Sequence, residues 1–339
     1  MNTLLLGDPS PSLRWRAAVE LEGAPDDDDE VKAWRAEIDR SEDIGALVAR
    51  LAVEGQPRAA GYLLCRLAYL GYRGPEFGAA VEAIFALQQP NGSWSASLDD
   101  DPLAMPGRRG LLTDGPRFVT MQTVVPLRGI AAAGFATYPR AERAYEWLLG
   151  ERLPDGSWPA GPKSDLGGAG RPAQPEMEYR RLTRGHGCRS ATTGAVACLA
   201  LHPERKRSDA ARIGVDHLLA RETRDESTLG WEVSRLVGLE RAMGQVTFYV
   251  TFDLAFLLDL ASRCGVSPQD RRVRDLVAYL ESLRGPYGLW QHPTHPQLSG
   301  WLSFDLEQLS STRRRRLGWQ RRTRRLHALP PRPTPLLNH

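Results

Sequence analysis

A glycine followed closely by a tryptophan recurs along this chain, and this recurrence constrains the fold more than any other feature. The copies are Gly92-Ser93-Trp94, Gly156-Ser157-Trp158, Gly230-Trp231 and Gly288-Leu289-Trp290, at spacings of 64, 74 and 58 residues. Internal recurrence of this kind indicates an architecture in which one supersecondary unit is repeated along the chain. Each interval holds two helical stretches, for example 119–134 and 140–149, so the repeating unit is predicted to be a helical hairpin.

The hydrophobic pattern separates the predicted helices into two groups. The stretches 119–134, 189–201 and 247–261 are apolar almost all round, whereas 140–149, 208–222 and 270–283 are amphipathic. A helix that is apolar on all sides is buried, and an amphipathic helix faces solvent on one side. We therefore expect an inner ring and an outer ring of helices. The tryptophan of each turn is expected to fold back onto helix ends, and no strand is predicted.

The first turn carries a family resemblance. Gln88-Gln89-Pro90-Asn91-Gly92-Ser93-Trp94 matches the Gln-x-x-x-Gly-x-Trp repeat of squalene and oxidosqualene cyclases, and Leu153-Pro154-Asp155-Gly156-Ser157-Trp158 is a partial copy. The stretch from Leu5 to Trp15 resembles the N-terminal segment of bacterial prenyltransferase and squalene-oxidase-repeat proteins. The resemblance covers roughly residues 55–311. It implies an all-α fold, the (α/α) toroid of terpene cyclases and prenyltransferases, a double ring of helical hairpins.

Three regions are predicted along the chain. Residues 1–54 form an N-terminal helical segment that packs on the toroid, residues 55–311 form the toroid, and residues 312–339 form a tail. The tail holds nine arginines and no acidic residue, while the whole chain has a net charge of only +3. Its Pro330-Pro331-Arg332-Pro333 run cannot continue a helix, so we expect a disordered tail. It lacks a motif that would support a specific nucleic-acid contact.

The acid motif of type II terpene cyclases, Asp-x-Asp-Asp, has one literal match here, Asp26-Asp27-Asp28-Asp29. In those enzymes the central aspartate protonates an alkene or epoxide. These four aspartates precede a polar stretch, so we expect a solvated helix N-terminus, where the helix dipole favours acidic residues. Asp99-Asp100-Asp101 is one residue short of the pattern. Cyclase chemistry through this motif is therefore not predicted.

Protein prenyltransferase β subunits, which share the toroid, hold zinc with an Asp-x-Cys and a later histidine. His186-Gly187-Cys188 lies at the equivalent place, and Asp253 lies in the next inner stretch where the prenyltransferases carry histidine. The resemblance thus implies a Zn²⁺ site of His186, Cys188 and Asp253 with one position open to water or substrate. Either His292 or His295 could replace one ligand. Structural alternatives are an Asp253–arginine ion pair, a core thiol at Cys188, a loop position for His186 and an exposed His292–His295 turn.

Zinc could activate water or a leaving group for hydrolysis. By analogy with the epoxide-opening enzymes that share the resembled fold, with zinc in place of the missing Asp-x-Asp-Asp acid, the predicted function is a zinc-dependent hydrolase. It would open a strained electrophile, an epoxide or an aziridine, with Asp253 in the catalytic site. Two alternatives stay open, an isoprenoid transferase or cyclase of secondary metabolism, and a non-catalytic toroid that binds a hydrophobic ligand or acts as a scaffold. The predicted partner is a small hydrophobic or electrophilic metabolite.

Bulk properties narrow the protein class. The chain is 42% hydrophobic and 25% charged, which is typical of a globular protein. Its most apolar stretch, 246–266, is interrupted by Asp253, Asp259 and Arg263, so no membrane insertion is predicted. The first residues lack the features of a secretory signal, and the four cysteines are scattered without a Cys-x-x-Cys pair. We expect reduced thiols and a cytoplasmic location, and the sequence leaves the oligomeric state open.

Overall fold

The computed structural model describes residues 2–95, 119–161, 163, 181–220, 228–239, 249 and 251–310. Asp99-Asp100-Asp101 and the tail at 312–339 lie outside these described residues. Within them the chain forms fourteen α-helices and isolated β-bridges without an extended strand. The helices are α1 (Asn2–Leu6), α2 (Pro11–Arg16), α3 (Asp29–Arg40), α4 (Glu42–Val53), α5 (Pro57–Tyr69), α6 (Glu76–Ala86), α7 (Thr120–Ala132), α8 (Pro139–Gly150), α9 (Arg189–Leu199), α10 (Asp209–Ala220), α11 (Trp231–Val237), α12 (Leu254–Arg263), α13 (Arg271–Ser282) and α14 (Ser299–Ser310).

Five helices form an inner ring. Helix α5 packs on α7, α7 packs on α9, and α12 packs on α14. The Arg189 guanidinium of α9 stacks 3.8 Å from the ring centre of Phe252. Phe252 lies two residues before Leu254, where α12 begins, so this contact joins α9 to the start of α12. The ring closes where α14 meets α5, because the Tyr69 hydroxyl donates a 2.9 Å hydrogen bond to Asp305. The space enclosed by these five helices is called the lumen below.

An outer layer covers the ring. Helices α6, α8, α10 and α13 pack on α5, α7, α9 and α12, respectively. Every residue of α9 is buried, whereas α13 buries only Val273, Leu276, Val277 and Leu280, which share one helix face. The fold is therefore the all-helical α/α toroid, and both the fold class and the division into inner and outer helices predicted from the sequence are confirmed.

The glycine-tryptophan turns act as staples between the two layers. The indole N–H groups of Trp94, Trp158 and Trp290 donate to backbone carbonyls ten residues earlier, at the end of an outer helix, over 2.9, 2.7 and 2.6 Å. Their backbone N–H groups donate to hydroxyl oxygens of the following inner helix, over 3.2, 3.0 and 2.8 Å. The glycines of these turns have φ values of 92°, 90° and 76°, which favour glycine. Each staple thus fixes one outer helix to the next inner one.

The Gly230-Trp231 copy is different, and its prediction as a repeat turn is wrong. Gly230 precedes α11, and Trp231 is the first residue of that helix. Helix α11 packs against α5 and buries five consecutive residues, Glu232 to Leu236. Arg66 of α5 donates to the carbonyl oxygens of Leu236 and Val237 and so neutralises the negative end of α11. A short inserted helix therefore stands where the regular repeat predicts a staple.

The first two inner helices approach each other unusually closely. A Cβ atom added to Gly61 of α5 would lie 2.6 Å from Cα of Pro126 and 2.7 Å from the carbonyl oxygen of Val125 in α7. A Cβ atom added to Gly129 of α7 would likewise lie 2.3 Å from the carbonyl oxygen of Gly61. These distances are shorter than any normal contact, so only glycine fits at the crossing.

The N-terminal helices pack on the ring at its closing point. Helices α1 and α2 and the π-helical segment Ala17–Glu22 contact α14. Asp28 caps α3 by accepting hydrogen bonds from the N–H groups of Glu30 and Val31, at 2.9 and 3.3 Å. The prediction that Asp26-Asp27-Asp28-Asp29 is an exposed helix start is confirmed. Among the helices described, none has the length and apolar character needed to cross a membrane.

Candidate functional site

The three predicted zinc ligands occupy different kinds of position. His186 is exposed in the loop before α9, and Cys188 is the buried N-cap of that helix. Asp253 is the N-cap of α12, which begins at Leu254. The predicted inner stretch 247–261 is thus helical only from Leu254 among its described residues, and Asp253 lies before the helix rather than within it.

The carboxylate of Asp253 is buried and binds backbone N–H groups. Its Oδ1 accepts from Gly230 and Ala255 at 3.1 and 2.9 Å, and its Oδ2 accepts from Glu232 at 2.8 Å. Burial raises its pKa to about 6, although these three hydrogen bonds oppose the rise. Asp253 therefore joins the start of α11 to the start of α12, a structural role that the sequence did not indicate.

The donor groups of this region do not fit a zinc ion as arranged. Within the ranges that the structure describes, no group of three or more His, Cys, Asp and Glu side chains could hold a metal ion. Both oxygens of Asp253 already accept hydrogen bonds from the backbone, and His186 points from an exposed loop. The zinc site stays a sequence-based prediction, and no chemical step below depends on it.

His292 is also committed to the backbone. Its Nδ1 accepts hydrogen bonds from the N–H groups of Thr294 and His295 at 3.3 and 3.0 Å, so Nδ1 is the unprotonated ring nitrogen. Nε2 then carries the proton and lies 2.9 Å from the carbonyl oxygen of Gly230 and 2.7 Å from Ser234 Oγ. The predicted exposed turn is wrong for His292, which is buried at 4% exposure and anchors α11.

A buried ion cluster joins α11 to α7. Glu232 Oε1 lies 2.7 Å from Arg128 Nη2, and Glu232 Oε2 lies 3.1 Å from Arg235 Nη2. Arg128 also donates to the Tyr249 hydroxyl at 2.8 Å and stacks 4.8 Å from the ring of Phe256. Burial alone would raise the pKa of Glu232, but the two arginines hold it below its usual range. The cluster is therefore charged, and buried charges of this kind are costly to keep.

One stripe of α12 faces the lumen. Phe256, Asp259 and Arg263 keep part of their surface accessible, while the residues between them are buried. The spacing of three and four residues puts these three side chains on one helix face. Arg263 Nε donates to Asp259 Oδ2 at 2.8 Å. Burial lowers the pKa of Arg263 to about 10, and its charge interacts with groups from α7, α14 and the N-terminal segment.

On α14, Asp305 faces the lumen as Phe256, Asp259 and Arg263 do on α12. It retains accessible surface, whereas its described neighbours from Trp301 to Leu309 are buried. Its Oδ2 accepts the hydrogen bond from Tyr69, and the rings of Tyr69 and Trp301 lie 5.2 Å apart. Burial raises its pKa to about 6, against the opposing effects of Arg16 and of the Tyr69 hydrogen bond. Unlike Asp253, Asp305 accepts no hydrogen bond from a backbone N–H group among the residues that the structure describes.

The sequence contained a signal for this carboxyl that the prediction did not use. Asp305 lies in Trp301-Leu302-Ser303-Phe304-Asp305-Leu306, a stretch in which Ser303 is the only other residue that is not apolar. A carboxylate in such a stretch must be paired, protonated or bound, which is the argument applied to Asp253. Arg128, within the apolar inner stretch 119–134, carries the same signal.

No protein-family model matches the chain, and the search of curated proteins found no match. Among solved structures, the chain is similar to a variant of the type II terpene cyclase MstE from Scytonema, solved in complex with geranylgeranyl dihydroxybenzoate. The identity is 17%, the match covers 88% of this chain and 81% of that chain, and the TM-score is 0.44. The toroid described above rests on the helix packing of this chain itself.

Proposed function

We propose that this chain is an enzyme that transfers a proton to an apolar small molecule in the lumen, with Asp305 as the acid. The observation that carries the proposal is a carboxyl group enclosed by the toroid, partly accessible, with a pKa raised by burial to about 6. A general acid works best when its pKa lies near the operating pH. An aspartate of ordinary pKa would be almost fully ionised at pH 6 to 7.

The surroundings of Asp305 suit the protonation of an apolar substrate. Tyr69, whose hydroxyl donates to the Asp305 carboxylate, and Trp301, whose ring lies 5.2 Å from that of Tyr69, are both aromatic. An alkene or an epoxide is a fitting acceptor. The carboxyl proton passes to an alkene carbon or to the epoxide oxygen, and the substrate gains the positive charge. Asp305 is left as a carboxylate, which the Tyr69 hydroxyl stabilises.

The same carboxylate can close the cycle. When the cation loses a proton from a neighbouring carbon, an alkene forms and Asp305 regains its proton, so the step balances without a co-reactant. Isomerisation and ring closure are both reactions of this type. Among the functions considered from the sequence, the cyclase alternative agrees best with this geometry. Zinc-dependent opening of an epoxide or aziridine stays a prediction that the described donor groups do not support.

A deuterium-transfer assay tests the proposal. The full chain is incubated in D2O with acyclic isoprenoid alkenes and their terminal epoxides, and products are analysed by mass spectrometry. We expect a product that carries one deuterium, and a loss of about 10²- to 10⁴-fold in rate for Asp305→Asn, since this is the usual contribution of a general acid. Asp270→Asn is the matched control, because Asp270 caps the outer helix α13 and asparagine also caps helices. Equal rates in wild type and Asp305→Asn would refute the role of Asp305.

A further inference from the structure

Arg16 belongs to the N-terminal helices, yet its side chain lies against the lumen residues. It is the last residue of α2 and is buried at 9% exposure. Its Nε and NH2 groups donate to the two carboxylate oxygens of Glu20 at 2.8 and 3.2 Å. Its NH1 donates to the backbone carbonyl of Tyr69 at 3.3 Å. The guanidinium therefore connects the N-terminal segment to the end of α5.

The same guanidinium lies between two aromatic rings. Its carbon is 4.5 Å from the ring centre of Tyr69 and 4.5 Å from that of Phe304. Tyr69 belongs to α5, and Phe304 belongs to α14, directly before Asp305. Stacking of this kind restricts both rings, because a buried guanidinium over an aromatic face is an attractive contact. Arg16 therefore occupies the junction at which the ring of helices closes.

Glu20 holds Arg16 in this orientation. Its Oε2 also accepts a 3.0 Å hydrogen bond from Gln308 of α14, so the Arg16–Glu20 pair is attached to both sides of the junction. Glu20 lies in the π-helical segment Ala17–Glu22, and such segments occur frequently at functional sites. Removing a buried ion pair often costs little stability when apolar residues replace it, so stability alone is a weak reason for its presence.

We propose that Arg16 is a positioning residue of the lumen, which holds Tyr69 and, through the Tyr69 hydroxyl, Asp305. This inference rests on the proposed role of Asp305 as the acid. Arg16 itself touches Tyr69, Phe304 and Glu20 rather than the substrate. The N-terminal segment is thereby a functional part of the toroid.

Four charged or titratable groups face Asp305 from the elements packed against it. Arg16 and Glu20 come from the N-terminal segment, Tyr69 comes from α5, and Arg263 comes from α12. Burial has the largest effect and raises the pKa of Asp305, whereas Arg16 lowers it and Glu20 raises it. Removing the charge of Arg16 should therefore shift the titration of Asp305 upwards, and removing the charge of Glu20 should shift it downwards.

The test is an NMR titration of the full chain labelled with ¹³C at the aspartate carboxyl groups. The Asp305 signal is assigned by its loss in Asp305→Asn. We expect the Asp305 midpoint to rise by about 0.5 to 1 pH unit in Arg16→Gln and to fall by a similar amount in Glu20→Gln, since nearby charges shift a carboxyl pKa on this scale. Arg14→Gln is the matched control, because Arg14 lies on the same helix as Arg16 but pairs with Glu37 of α3. The Asp305 midpoint in this variant should equal that of wild type.

Shifts of the Asp305 midpoint in opposite directions in Arg16→Gln and Glu20→Gln indicate an effect of the two charges, because a general loosening of the fold would not give opposite signs. If both variants shift the midpoint in the same direction, or neither shifts it, the role of Arg16 is overturned. Arg16→Lys keeps the positive charge and serves as the test if Arg16→Gln does not fold. An Asp305 midpoint within about 0.3 pH unit of wild type in Arg16→Lys supports the inference, and a rise as large as that expected for loss of the charge overturns it. A raised wild-type midpoint with unshifted variants contradicts the role of Arg16 alone, whereas an ordinary wild-type midpoint contradicts the proposed function itself.

Discussion

Replacement of one stapling tryptophan by phenylalanine gives a measurable test of the toroid. Trp158 is fully buried, and its indole N–H donates to the carbonyl oxygen of Leu148 at 2.7 Å. That carbonyl lies in the last turn of α8, where no helical N–H is available to it. In Trp158→Phe the carbonyl is left buried without this donor, which costs about 1–3 kcal/mol. Loss of the second ring adds a cavity, so we expect a total destabilisation of about 2–4 kcal/mol.

Trp231→Phe is the matched control. The sequence places Trp231 in the same glycine-tryptophan pattern, but the structure makes it the first residue of α11, only partly buried. Its Nε1 has no hydrogen-bond partner among the described residues. We therefore expect Trp231→Phe to change the free energy of unfolding by less than about 1 kcal/mol, as substitutions outside the core usually do.

Urea unfolding followed by far-UV circular dichroism measures both variants, since fluorescence would change with the number of tryptophans. The expected result is a lower midpoint for Trp158→Phe at an unchanged slope, and a midpoint near wild type for Trp231→Phe. Equal losses in the two variants would refute the distinction between the staple and the inserted helix.

Three further predictions concern the helix crossing, the ion cluster and Asp305. Gly61→Ala should destabilise the folded protein by about 1–3 kcal/mol, because the added Cβ would lie 2.6 Å from the Pro126 backbone. Its control, Gly78→Ala in α6, adds a Cβ with no atom within 4 Å and should stabilise the protein by about 0.5–1 kcal/mol. Thermal melts measure both variants, and a stabilised Gly61→Ala would contradict the close crossing. Glu232→Gln should cost about 3–5 kcal/mol in urea unfolding, since its two arginine partners stay buried without their carboxylate, and an unchanged midpoint would show that the cluster is not charged. Because burial raises the folded-state pKa of Asp305 from 3.8 to about 6, its contribution to stability is fully present below about pH 4 and is lost as the pH rises to 6. Asp305→Asn should remove this part of the pH dependence, and an identical stability profile for the two proteins would contradict the raised pKa.

The repeat pattern predicted the architecture because its chemistry is local. A positive-φ glycine and a tryptophan two residues later are enough to reverse the chain and staple two helices, and Gly92, Gly156 and Gly288 all do so. The pattern failed at Gly230, where a glycine directly precedes the tryptophan and starts α11 instead. A seven-residue helix carries too little periodicity to be distinguished from a turn.

The candidate site was harder to predict because it depends on contacts between distant parts of the chain. The sequence identified Asp253 as a carboxyl in an apolar stretch, but only the fold shows that three backbone N–H groups bind it. The same argument applied to Asp305 would have placed it in the site. The contribution of Arg16 could not be predicted, since it depends on where the N-terminal segment meets α5 and α14.

The protonation state of Asp305 decides whether this residue can donate a proton, and titration of Asp305 in the wild-type protein measures that state. The measurement is the ¹³C chemical shift of the Asp305 carboxyl group in the folded full chain between pH 3 and pH 8. A midpoint near 6 is predicted, because burial outweighs the arginine and tyrosine contacts. A midpoint at or below the ordinary value of 3.8 would show that Asp305 is ionised at neutral pH and would contradict its role as a proton donor.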